Sequence, residues 1–401
     1  MSGGGGSIWQ YRNFVILFST GALLAFGGRV YELALPLIVY ELTQSSVAMG
    51  AMRAIEFLPN LLFAMVVGVF VDRADKKRWM LTVVALQSGL LFALYAYTQL
   101  QYANLGVFYI TGFLLMLLGY AYGNAKIAAV KWALPTPLLT SANANLTLLE
   151  TLVQVLGPAI SGAILFLSSL YYGLLITASA FLAALLVLAK LNLEEAPRAA
   201  SSRSFFWELR EGWSALRNNQ PMWVITWLVV FLNSTSGAFE VMLIFFAKDE
   251  LRWSTALVGI VLSCAGFGGL FGSLAVSRFR ERWGLGRGLA ITIIALAPAY
   301  AMTAALSSPW AVGAAVFAFG MVATIQNILI WTFRHETTPA PLIGRVSGIT
   351  GSIFKLGMPF AIFGAGYLAD ISGARSVFVV CGITQVFVFL AMFRSSLMRQ
   401  R

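Results

Sequence analysis

The chain has 401 residues, of which 59% are hydrophobic and 11% charged, and its formal net charge is +11. Soluble domains carry about 45–50% apolar and about 25% charged residues, so this balance excludes a water-soluble globular protein. Apolar runs recur along the chain, each long enough to cross about 30 Å of hydrocarbon. The alternating ten-residue segments of a membrane barrel are absent, which leaves an all-α membrane protein.

Twelve transmembrane helices are predicted, at about 13–40, 47–71, 79–100, 104–125, 146–168 and 172–190, then 222–247, 255–278, 287–307, 309–333, 348–371 and 374–393. Residues 1–7 are polar and Gly-rich and carry no cleavable signal. The division is 1–190 for an N-terminal six-helix bundle, 191–221 for a cytoplasmic linker, and 222–401 for a C-terminal six-helix bundle. Within the linker, Phe205, Trp207, Leu209, Trp213 and Leu216 recur at helical spacing, which predicts an interfacial amphipathic helix.

Basic residues set the orientation. The loop after span 2 holds Arg73, Lys76, Lys77 and Arg78, the loop after span 4 holds Lys126 and Lys131, and Lys190, Arg198, Arg203, Arg210, Arg217, Arg278, Arg280, Arg282 and Arg287 lie in or at the edges of the linker and the loop after span 8. The opposite side has only Lys248, Arg252 and Arg375. Both termini are therefore expected on the cytoplasmic side of a plasma membrane. The positive charge belongs to topology and anionic-lipid contact, and no nucleic-acid partner is expected.

The loop Gly68-Val-Phe-Val-Asp72-Arg73-Ala-Asp75-Lys76-Lys77-Arg78 has a fainter copy, Gly272-Ser-Leu-Ala-Val-Ser-Arg278, 204 positions later. Pro135-Thr-Pro137 recurs at the same displacement as Pro339-Ala-Pro341. Two unrelated motifs sharing one offset indicate a duplicated, pseudo-symmetric chain. The first loop resembles the G-x-x-x-D-R-x-G-R-K/R-R signature of the major facilitator superfamily, with Asp75 in place of its second glycine. Span 5 carries Gly157-Pro158-Ala-Ile-Ser161-Gly162, similar to an element of that superfamily's antiporters, with Val153 and Ser161 replacing two glycines. Together with Ala34 to Leu42, the chain looks most like the macrolide and enterobactin-type siderophore exporter branch. That resemblance implies two six-helix bundles working by alternating access. It also gives gate and conformational roles to Gly68, Asp72, Arg73, Arg78, Gly157, Pro158 and Gly162.

Charges inside spans are costly and mark function. Arg29 and Glu32 lie one turn apart on span 1, and Arg53 and Glu56 repeat that spacing on span 2. Asn60 extends the second stripe, Asn233 and Glu240 lie on span 7, and Gln326 and Asn327 lie on span 10. These nine residues are the expected substrate and proton cavity. Glu240 has no cation on its own span until Lys248, so desolvation favours its protonated form and makes it the expected proton carrier. Glu150 and Lys355 occupy nearly corresponding positions in the two halves with opposite signs, which suits an inner gate.

The composite expectation is a monomeric secondary transporter that exports a small amphipathic compound (a siderophore, drug or lipid-like metabolite). With no Walker A pattern, protons are the default coupling ion. No cofactor, no metal and no enzymatic activity are expected, since no nucleophile–base pair stands at membrane depth. Two alternatives remain. Gly27-Gly28-Arg29 to Ala34 is similar to the G-D-R-x-W segment of ferroportin-type metal exporters, but Gly28 stands where the metal-binding aspartate would be. A non-transporting scaffold or sensor in the same fold would tolerate substitution at Arg29, Glu32 and Glu240.

Overall fold

The structure is a computed structural model that describes residues 7–63, 67, 70–71, 74–100, 104–167, 169–193, 205–339 and 342–393. The helices, in chain order, are α1 (Arg12–Thr43), α2 (Ser46–Leu62), α3 (Lys76–Thr98), α4 (Leu105–Ala133), α5 (Leu139–Leu167), α6 (Leu170–Leu188) and α7 (Phe205–Asn218). They continue as α8 (Gln220–Asp249), α9 (Thr255–Trp283), α10 (Leu285–Ala305), α11 (Pro309–Thr337), α12 (Ile343–Ile353), α13 (Met358–Ser372) and α14 (Ala374–Phe393). Eleven membrane-length apolar helical segments occur among the described residues, and α2 supplies a further span whose end is only partly described. Large apolar side chains such as Trp310, Leu274 and Phe360 stand fully outside, which only a lipid environment makes tolerable.

Two compact units form. The first comprises residues 1–44 and 55–198, the second residues 45–54 and 199–401. The expected boundary in the linker is thus refined twice. The opening turns of α2 group with the second unit, where Ser46 Oγ donates to Gly366 O at 2.8 Å. The linker helix α7 also belongs there. Its Gly212 lies against Ile349 and Arg345 of α12, and Glu211 pairs with Arg345. Trp213, Trp223 and Trp227 stack in a row, with Arg217 over Trp223, as a chain at the membrane surface should.

The loop of the signature motif owes its turn to two side chains rather than to glycine. Asp75 is the N-cap of α3, its Oδ1 accepting from Arg78 N at 2.7 Å. Lys76, fully buried, donates from Nζ to Val71 O and Ala74 O at 2.7 and 2.6 Å, closing the carbonyls that end the preceding helix. An N-cap aspartate is worth about 1 kcal/mol over alanine, while glycine there costs only a few tenths. Asp75→Ala is therefore expected to lower the melting temperature measurably and Asp75→Gly hardly at all. Gly68, Asp72 and Arg73 lie outside the described residues.

Span 11, predicted as one helix at 348–371, is two: α12 and α13 meet at a tight turn over residues 354–357. Pro359 has no N–H to give Lys355 O, and Met358 N takes that carbonyl instead, at 3.2 Å. Phe354 O is then satisfied by Asn233 Nδ2 at 3.0 Å. Gly357 permits the turn to press on Ser234 and Val230 of α8. Asn233 thereby ties α8 to the turn. The second unit's interior also holds an aromatic cluster, with Phe239 in contact with Phe319, Tyr300 and Phe378 at ring separations of 4.7, 4.9 and 5.3 Å.

Candidate functional site

The first unit encloses a cavity of about 270 Å³ between α1, α3, α4 and α6. Its existence follows from residue size along α1. Gly21, Ala25 and Gly28 fall at i, i+4 and i+7, so one face of the helix carries almost no side chain. The opposite walls are apolar: Leu91 from α3, Leu115 and Met116 from α4, and Phe181 from α6. Close helix contacts hold this shell. Thr177 Oγ1 donates to Gly27 O at 3.0 Å, tying α6 to α1, and Ser88 Oγ donates to Ala178 O at 3.0 Å, tying α3 to α6. Gln87 reaches across with Nε2 to Leu115 O at 3.1 Å.

Five polar side chains are set in this apolar shell: Tyr31, Glu32, Gln87, Tyr122 and Lys126. Glu32 Oε2 accepts from Arg29 Nη1 at 2.7 Å, and both side chains remain more than a third exposed. The stem of Arg29 runs over Gly157 of α5, where a Cβ would lie 2.8 Å from Arg29 Cγ. Gly157 of the antiporter-like element therefore makes room for the arginine that positions Glu32. Pro158 is inside α5, and Gly162 is buried. Tyr31, itself part of the lining, donates from Oη to Glu56 Oε1 at 2.7 Å, and Glu56 is fully buried.

The expected constellation is only partly assembled. Arg29 pairs with Glu32 in the first unit, and Glu56 and Asn60 are buried on α2. Arg53 falls in the part of α2 that groups with the second unit. Glu240 is exposed on α8. Gln326 is buried inside the second unit, its Nε2 3.5 Å from Thr292 Oγ1, and Asn327 is exposed. Glu150 lies 3.6 Å from Lys126. Lys355 sits in the turn that divides span 11. Arg78 lends its backbone N–H to the α3 cap.

Tyr122, Lys126, Gln87 and Tyr31 were missed as site residues. Lys126 had been assigned to a cytoplasmic loop because span 4 was ended at 125. The helix runs to Ala133, which carries Lys126 two turns inside it. Among the described residues no three His, Cys, Asp or Glu side chains gather into a metal-binding group.

Comparisons with known proteins agree with this architecture. The family model described as Major Facilitator Superfamily matches residues 17–362. The multidrug efflux pump Tap of Mycolicibacterium fortuitum is 27% identical over 397 residues, covering 93% of each chain. Macrolide efflux protein A of Streptococcus pyogenes is 22% identical over 392 residues, covering 93% of this chain and 94% of that protein. Among solved structures, the nucleoside transporter NupG superposes with a TM-score of 0.74 at 14% identity, covering 96% and 99% of the two chains. A bacterial homologue of the iron transporter ferroportin in its inward-facing state also gives 0.74 at 14% identity, over 97% and 99%. At that identity these two speak for the fold alone. With the family model spanning most of its length and its helices arranged in that family's fold, the chain belongs to the major facilitator superfamily and is a multi-pass membrane transporter, not an enzyme.

Proposed function

We propose that the chain exports small amphipathic compounds across the bacterial inner membrane by alternating access, exchanging them for protons. The observation that carries this reading is the first unit's cavity, an apolar shell whose lining includes the carboxylate of Glu32, paired with Arg29. Such a site takes up an apolar body and a polar group together, which is the chemistry of drug-like and siderophore-like molecules. The full-length relatives named as multidrug and macrolide efflux proteins support the outward direction. The placement of Lys and Arg supports cytoplasmic termini. Glu32 is the acid to which we give the coupling role, since a proton and a substrate cation would compete for the oxygens that Arg29 holds.

Purified protein in liposomes with an acidic lumen is expected to accumulate rhodamine 6G from outside, and nigericin is expected to abolish the accumulation. Accumulation equal to that of protein-free liposomes would sink the exporter reading. Accumulation that ignores the pH gradient would remove the proton.

A further inference from the structure

The inner end of the same cavity is built for an oxyanion, and we infer that it receives the carboxylate of an amphipathic substrate on Lys126 and Tyr122. Tyr122 is 7% exposed and lines the cavity, yet its hydroxyl has no hydrogen-bond partner. A buried O–H without an acceptor is costly, and native proteins retain one where a ligand completes it. Lys126 follows four residues later on the same face of α4, so both residues contribute to the wall at one end of the cavity. Across from them stands Gly21 of α1, where a Cβ would come 3.9 Å from Lys126 Nζ. Any larger residue would occupy the place the anion takes.

The existing partner of Lys126 is weak competition. Glu150 is 3.6 Å away, and its side chain is 65% exposed, so the pair is screened by water and readily exchanged. A carboxylate in the cavity would accept from both Tyr122 and Lys126, a combination that Glu150 does not have. Glu32 lies eleven residues beyond Gly21 on α1, roughly 16 Å along the helix axis at 1.5 Å per residue. The cavity thus has a donor end and an acceptor end with apolar walls between. It fits an elongated compound with its carboxylate at Lys126 and any basic group at Glu32. This deepens the exporter reading and rests on it for the direction of transport, but the binding step can be measured alone.

The test is equilibrium fluorescence binding to the full chain in nanodiscs, using dansyl-labelled undecanoic acid and its methyl ester. The native protein is expected to bind the acid about tenfold more tightly than the ester. Lys126→Gln and Tyr122→Phe should each bring that ratio toward one, and Lys126→Arg should keep most of it. Gly21→Leu should weaken the acid more than the ester. Tyr122→Phe removes only an oxygen, and a thermal melt shows that it folds. A native ratio of one, or a ratio that survives both Lys126→Gln and Tyr122→Phe, overturns the inference. Failure of the exporter reading is separate, since neither probe would then be carried against a gradient while the acid-to-ester ratio persisted.

Discussion

Gly320→Ala is expected to cost about 3 kcal/mol and to leave little folded, monodisperse protein after extraction in detergent. At this position of α11 the hydrogen that a methyl would replace faces Ala265 O of α9, backbone against backbone. The contact is reciprocal. Gly268 of α9 faces Phe317 O and, at 2.9 Å, Met321 N, and Gly272 faces Met321 O. Small residues let helices approach closely in lipid, where association depends on packing and not on expulsion of water. A clash with a side chain is relieved by a new rotamer, whereas a clash with a carbonyl requires a whole helix to move. Movement of α9 would open the seam along three glycines at once. Gly364→Ala is the control. Nothing lies within 4 Å of its Cβ position, so the substitution is expected to be neutral or to stabilise by about 0.4–1 kcal/mol. Thermal melts of the two variants in one detergent separate steric from propensity effects. Similar behaviour of the pair would refute the seam.

That seam shows which parts of the molecule could be read from the chain alone. The motif Gly268-Gly-Leu-Phe-Gly272 is visible as small-residue spacing, but its partner Gly320 is named only by the fold. The same limit applies to the site. Span count and fold class follow from hydropathy because lipid allows few backbone solutions. Arg29 and Glu32 were legible because a charged pair one turn apart within an apolar run is locally anomalous. Tyr122 and Gln87 are unremarkable in any run of that composition. They become site residues only because Gly21, Ala25 and Gly28 of another helix leave space opposite them. Lys126 was lost to a helix-end error of eight residues, since polar residues at the end of a span read as loop. Pro359 did signal the break in span 11, but the role of Asn233 depended on which carbonyl the break would strand. Asp75, in place of the family's glycine, is a cap, which the motif comparison alone does not reveal.

Gly157→Ala is expected to lower transport about tenfold while leaving the folded yield near native. The methyl would stand 2.8 Å from Arg29 Cγ, 3.2 Å from its Cβ and 3.4 Å from its Cδ. These atoms belong to the root of the side chain, so relief comes from turning χ1, and turning χ1 swings the guanidinium away from Glu32 Oε2 at 2.7 Å. Overpacking of this kind costs about 1–3 kcal/mol, and about 1.4 kcal/mol spent on a rate-determining arrangement is a factor of ten. A general packing defect in α5 would give the same loss of rate, so the single variant decides little by itself. The cycle with Arg29→Ala decides it. Removing the arginine's stem also removes the clash, and Gly157→Ala in that background is then expected to have no further effect on the transport rate. Additive losses would show that Gly157 acts through the bend of α5 at Pro158 instead, and that the Arg29–Glu32 pair is not what the glycine protects.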